Sequence, residues 1–172
     1  MKLPVALALV IGLLGAVLTY LYVGPLAALG LFVPATFLGA ASYFAAGGTT
    51  AALAPSLASN IWGAVGGTVA LLLVATAGSP LLVGLYVGLM TAVVVLGAVV
   101  PLLGFVPGTV IGFATTAGFG LLTKASATDF SLPTGPFTVM LLSFVVGGLY
   151  GWVSSLLVGR LVGSAATESA PA

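Results

Sequence analysis

Apolar residues fill this chain almost end to end, so the informative pattern is where the runs break. Breaks at glycine and proline clusters and at short polar stretches leave hydrophobic segments at about 3–23, 26–46, 55–77, 80–100, 102–121 and 136–160. Each is close to the roughly 20 residues that an α-helix needs to cross about 30 Å of hydrocarbon. The pattern predicts an all-α integral membrane protein of six transmembrane helices in a single domain, residues 1–163. A polar tail of small residues, 164–172, is expected to be disordered. Connections are short, as in "VGP" at 23–25 and "AGSP" at 77–80, and the one long loop is "TKASATDFSLPTG" at 123–135. The opening "MKLPVALALVIGLLGAVLTYLYV" has the charge and apolar run of a secretory signal. It runs on to the length of a full span without a small-residue cleavage site, so it is expected to stay in the membrane.

Composition sharpens this reading. Only 3% of the 172 residues are charged and 61% are hydrophobic, whereas a soluble domain carries about 25% charged residues. The solvent is lipid. There is no Cys and no His, which removes disulfides, thiol nucleophiles, the commonest metal ligand and the near-neutral proton carrier. Asp129 and Glu168 are the only carboxylates, so paired-carboxylate chemistry and a carboxylate–His triad have no members. The glycine strings lack the lysine and acidic residue of nucleotide motifs. No enzyme, metal site or cofactor is expected, and a net charge of +1 offers no basic patch to nucleic acid.

The chain also repeats itself. At a shift of 76, residues 4–27 match 80–103 at nine of 24 positions, pairing Pro4 with Pro80, Gly12 with Gly88 and Pro25 with Pro101. At a shift of 73, "LFVPATFLGAASYFAAG" (31–47) matches "GFVPGTVIGFATTAGFG" (104–120) at seven of 17 positions, including Phe-Val-Pro-x-Thr. In the third segments "NIWG" (60–63) is set against "GLYG" (148–151). Composition accounts for aliphatic matches but not for prolines, of which there are only ten. With three spans per half, a duplication puts the second copy into the membrane from the opposite side. The expectation is two inverted three-helix repeats, about 3–77 and 80–160, with proline-interrupted second and fifth segments.

The residues that carry the repeat carry a resemblance as well. "FLGAASYFAAGG" (37–48) and "FVPGTVIGFATTAG" (105–118), with the polar link before a last small-residue-rich helix, are similar to the YcdZ-type bacterial inner-membrane proteins. The resemblance covers about 24–160 and implies an integral inner-membrane protein of this length. That family is catalogued as a domain of unknown function, so the resemblance brings neither an activity nor site residues.

Proline suits the first turn of a helix and breaks the middle of one. Pro34 and Pro107 are therefore expected to start helices inside the membrane. The N–H groups freed there, with the hydroxyls of Thr36 and Thr109, would face a solute path, since unpaired backbone cannot face lipid. Gly104, Gly108 and Gly112 equally form a small-residue packing surface. Asn60, the one carboxamide in the chain, is either a solute ligand or a helix–helix hydrogen bond. Trp152 reads as an interface anchor; Trp62 fits that role less well. Gly147, Gly151, Ser155, Gly159 and Gly163 recur every four residues and let another helix approach, within the monomer first and in a homo-oligomer second. No ionisable side chain lies inside a predicted span, which argues against proton coupling.

The function expected is a passive channel or facilitator for a small neutral or weakly polar solute, lined by Pro34, Thr36, Asn60, Pro107, Gly108 and Thr109. The alternative is a non-transporting assembly or scaffold protein whose glycines serve helix packing. Lys2 and Arg160 flank one side of the bilayer and Lys124 the other, so the positive-inside rule puts both termini in the cytoplasm. This sidedness predicts that a Ser126→Cys variant in intact cells reacts with a membrane-impermeant thiol reagent. Labelling only after permeabilisation would reverse the topology.

Overall fold

The computed structural model describes residues 2–168, with side chains through 162. Among the described residues there are six α-helices and no strand: α1 (Leu3–Val23), α2 (Val33–Ala45), α3 (Thr50–Ala75), α4 (Pro80–Leu96), α5 (Val106–Thr123) and α6 (Pro136–Glu168). Five of them, counting α4 with its continuation to Val99, are long and apolar enough to cross a membrane. Large aliphatic side chains such as Leu13, Val23, Leu81 and Leu122 stand exposed on the outside, as a surface solvated by lipid requires. α6 runs on to Glu168, into the segment expected as a tail; residues 169–172, the end of that tail, lie outside the described residues.

The second segment departs from its expected full-length span. α2 has 13 residues, about 20 Å at 1.5 Å rise per residue, and residues 26–32 ahead of it hold only the 3₁₀ turn Ala27–Leu29. The cause is local. Pro34 in the first turn supplies no N–H and so belongs at a helix start, and the preceding chain at Phe32 is extended. The fifth segment behaves alike: Phe105 ends a pair of 3₁₀ turns, Gly97–Val99 and Pro101–Leu103, and α5 begins at Val106 with Pro107 in its first turn. In the third segment the helix starts at Thr50 instead of 55, and Pro55 lies within α3.

Two helix pairs make the most extensive contacts, α3 with α5 and α2 with α6. Both are backbone-to-backbone approaches made possible by missing side chains. A Cβ on Gly63 would run into the Thr109 carbonyl, and one on Gly112 into the Asn60 carbonyl. In the other pair, a Cβ on Gly147 would run into the Thr36 carbonyl, and one on Gly39 would stand 3.1 Å from the Phe144 carbonyl. Further along, Gly67 faces Phe113 and Thr116, as Gly151 faces Ala40 and Tyr43. The contacts ascend together in both pairs, so each pair is parallel. α6 descends against α3, from Trp152 beside Thr50 to Gly148 beside Leu57.

Thr36 and Thr109 stand 73 residues apart in the sequence, and the glycines that their carbonyls meet, Gly147 and Gly63, stand 84 apart. The same offset of 84 separates Ser59 from Ser143 and Gly67 from Gly151, whereas "NIWG" and "GLYG" stand 88 apart.

The outer helices follow the same scheme. α1 runs against α6, with Ala6 and Val10 clustered on Val158 and Tyr150 donating to the Ile11 carbonyl at 2.7 Å. α4 runs against α3, with Met90 and Val94 clustered on Ala70 and the Trp62 indole donating to the Val94 carbonyl at 2.9 Å. Lys2 and Arg160 consequently lie at one end of the bundle and Lys124 at the other.

The close approaches make a sharp contrast between glycines. Gly112→Ala forces a methyl group against the Asn60 carbonyl, an overpacking that costs about 1–3 kcal/mol, whereas Gly12 and Gly84 have nothing within 4 Å of an added Cβ. Thermal unfolding in detergent is expected to drop clearly for Gly112→Ala and Gly63→Ala and to stay unchanged for Gly12→Ala and Gly84→Ala. Equal behaviour of the two sets would refute the close approach.

Candidate functional site

Polar side chains in the bundle interior concentrate where α2, α3 and α5 meet. Asn60 lies close to the middle of α3 and is fully buried. Its Oδ1 accepts a hydrogen bond from Ser42 of α2 at 2.9 Å. The same Oδ1 is 3.1 Å from the point where a Gly108 Cβ would stand, so the absence of a side chain on α5 makes room for the carboxamide. The Nδ2 of Asn60 is buried with no hydrogen-bond partner in the protein, and so is the hydroxyl of the neighbouring Ser59. Further buried, unpaired hydroxyls belong to Thr116 on α5 and Ser154 on α6. An unpaired buried donor in a native interior calls for an explanation, because leaving one unsatisfied costs about 1–3 kcal/mol.

Thr36 and Thr109 are each 1% exposed, and their carbonyls form the matched contacts with Gly147 and Gly63. The Thr36 hydroxyl lies 3.0 Å from the Tyr22 hydroxyl of α1. Neither threonine lines any of five grooves that open on the described surface, nor does Asn60. An apolar cluster of Ala35, Ala64, Val139, Met140 and Phe144, with Phe32 and Phe119 packed on it, fills the interior beside α2.

The prolines act differently from expectation. Pro34 and Pro107 both start helices, but both are exposed on the outer surface. The N–H groups around Pro107 are not free. Val106 donates to the Gly104 carbonyl, and Gly108 and Thr109 donate to the Phe105 carbonyl. At α2, Thr36 donates to the Phe32 carbonyl, and the Phe32 N–H is taken by the Ser143 hydroxyl at 2.9 Å. Local turns at α5, and a local turn with a neighbouring helix at α2, thus take up N–H groups of the kind that an interior helix start leaves free.

The small-residue surfaces divide in the same way. Gly104 lies ahead of α5, where an added Cβ would meet only the carbonyl of Pro101 in its own turn, while Gly108 and Gly112 both adjoin Asn60. On α6, Gly147 and Gly151 pack on α2, and Ser155 is 2.7 Å from the Tyr43 hydroxyl. Gly159 has nothing within 4 Å, and the side-chain position of residue 163 lies outside the described residues. Trp152 reaches Thr50 at 3.2 Å near the end of the bundle. Trp62 sits at mid-helix, where it takes up a carbonyl close to the end of α4. Sequence reasoning passed over Ser42, Tyr22, Ser143 and Phe105. Their only mark in the sequence is polarity or size within an apolar run, and what gives them a role is the partner on another helix.

The surface loop 124–135 is organised by Asp129. Its carboxylate accepts from the Ser131 N–H and hydroxyl at 2.8 and 2.6 Å and from the Thr134 hydroxyl at 2.6 Å. The side-chain bonds from Ser131 and then Thr134, with the Ser131 backbone bond, hold its carboxyl below the usual range. A depressed folded pKa means that this ordering is present above the unfolded pKa and is lost as pH falls through the folded one.

Comparison with curated proteins finds no match, and comparison with solved structures finds none either. A family comparison is positive. Residues 8–159, nearly the whole helical bundle with the Asn60 constellation inside it, match the family described as "Protein of unknown function (DUF1097)", and the chain belongs to that family.

Proposed function

We propose that the protein is a passive facilitator for a small neutral or weakly polar solute in the bacterial inner membrane, with both termini in the cytoplasm, and that it is not an enzyme. The resemblance of "FVPGT" to the YcdZ-type members supports the inner-membrane assignment. The observation that carries the functional reading is Asn60. A fully buried carboxamide near mid-depth keeps one hydrogen-bonding group occupied by Ser42 and the other without a protein partner. Intramembrane polar groups are costly and mark solute paths by default. A solute bound through Nδ2 would offset the desolvation that the empty donor leaves uncompensated.

Two inverted three-helix repeats are part of the same proposal. The support is the recurrence of contacts: Thr36 on Gly147 and Thr109 on Gly63, Gly39 on Phe144 and Gly112 on Asn60, with α3 and α6 antiparallel. Such an arrangement builds a site at the interface of the repeats from interrupted helices, and Asn60 stands at that interface, between α2 and α5. The conformation described is closed on this reading. Passage requires the aromatic side chains of the interior to move, in the manner of a hydrophobic constriction.

A second reading, a non-transporting assembly protein with a bilayer-embedded glycine-packed core, is favoured by the burial of Thr36 and Thr109 on direct contacts. Flux separates the two. Purified protein in liposomes is expected to speed the entry of urea, formamide or glycerol over protein-free vesicles. Asn60→Leu should lower the rate about tenfold, and Thr36→Val and Thr109→Val should lower it less, all in protein that purifies as a single species. No flux of any of these solutes above protein-free vesicles would leave the assembly reading.

A further inference from the structure

The two ends of the bundle are built differently at corresponding places, and the difference points to a route toward Asn60. At the end that holds Lys2 and Arg160, α2 and α3 are joined by the short turn 46–49. Beside it a groove of about 480 Å³ opens between Thr49, Ala52 and Pro55 on one side and Pro101, Gly104 and Phe105 on the other. At the opposite end the corresponding connection, between α5 and α6, is the longer loop 124–135. Tied by Asp129, it sets Pro133 against Gly30 in the α1–α2 connection. Gly30 has φ of 61° and a Cβ there would run into Pro133, so a bare glycine is needed both for its left-handed backbone and for the contact. At these corresponding places the loop closes one end and leaves the other open; the groove of about 410 Å³ that the loop end does have lies between α3, α5 and residues 124–128, and no residue that touches Asn60 lines it.

Phe105 stands between the open groove and Asn60. Its ring lines the groove, and its Cδ1 comes 2.7 Å from the Cβ position of Gly108, the same point that the Asn60 Oδ1 approaches at 3.1 Å. Ring and carboxamide are therefore neighbours across one missing side chain. Phe105 is half-buried and follows a non-helical backbone at the start of α5.

We propose that this groove is the access vestibule of a binding site at Asn60, that the Phe105 ring is its gate, and that the site takes a small uncharged solute bearing a hydrogen-bond-accepting carbonyl or hydroxyl oxygen. The inference rests on the facilitator reading and adds the route and the chemistry. Oδ1 is already engaged by Ser42 and Nδ2 is not, so the site offers a donor and selects an acceptor. With no charged side chain among the residues that form the groove or touch Asn60, a charged solute would lose its hydration uncompensated.

The absence of cysteine allows a test by labelling that does not depend on flux. An Asn60→Cys variant is expected to react slowly with methyl methanethiosulfonate, a small neutral reagent, and about tenfold faster when combined with Phe105→Ala. In parallel, a Thr49→Cys variant carrying a bulky charged methanethiosulfonate adduct should lose most of its urea flux, while the same adduct on Ser126→Cys at the capped end should not. Equal labelling of Asn60→Cys with and without Phe105, in protein that elutes as one species, overturns the gate. Urea flux that survives the Thr49 adduct overturns the vestibule but leaves the facilitator reading standing. Absence of flux in the unmodified protein overturns that reading, and the site with it.

Discussion

Backbone contact between helices is the constraint on which the rest of this structure depends. In lipid there is little hydrophobic gain from bringing two apolar helices together, because the acyl chains are as apolar as leucine; association comes from close packing and interhelical hydrogen bonds. Here the closeness is supplied by Gly63, Gly67 and Gly112 between α3 and α5 and by Gly39, Gly147 and Gly151 between α2 and α6. A carbonyl that meets a bare glycine fixes the register to within a residue, since a shift by one position turns a side chain into the contact. The placement of Asn60 beside Gly108, and of Ser42 within hydrogen-bonding distance of it, follows from that register.

A second constraint is that helix breaks inside a bilayer need their polar backbone groups met by protein. Two side chains and one backbone turn contribute: the Ser143 hydroxyl accepts from the Phe32 N–H, the Trp62 indole donates to the Val94 carbonyl near the end of α4, and the carbonyls of Gly104 and Phe105 accept from the first N–H groups of α5. Buried side-chain groups without a partner belong to Ser59, Asn60, Thr116 and Ser154, and this shifts attention from helix starts to the carboxamide.

The α2–α6 and α3–α5 pairs both place carbonyls on glycines and differ in the residues around those contacts. Asn60 occupies in α3 the position that Phe144 holds in α6, each presenting its carbonyl to a glycine of the paired helix. Phe144 joins the apolar core beside α2, whereas Asn60 reaches Ser42. Ser143 is bonded to the start of α2, while Ser59, its counterpart, has no partner. The α2–α6 pair thus satisfies Ser143 but leaves Ser154 unpaired, and the α3–α5 pair leaves Ser59, the Asn60 Nδ2 and Thr116 unpaired. The open groove lies beside the α3–α5 pair.

Much of this architecture is legible in the amino-acid sequence, because hydropathy and proline act locally. A 21-residue apolar run without a charged residue has one stable form in lipid, and α1 begins and ends where the run does. Pro34, Pro80, Pro107 and Pro136 each lie in a first helical turn, since ring geometry decides that without reference to neighbours. The paired prolines also expose the relation between residues 4–47 and 80–120. The third segments carry no such marker, because glycine is common here, with 25 in the chain, and so small an alphabet offers several registers of similar score. Only the carbonyl that each glycine meets selects among them. The outward direction of Pro34 and Pro107, the partners of Asn60 and the position of Phe105 were decided by tertiary structure for the same reason. Each depends on what a second helix brings to within contact distance, and that is a property of two segments far apart in the chain, which no local pattern of residues encodes.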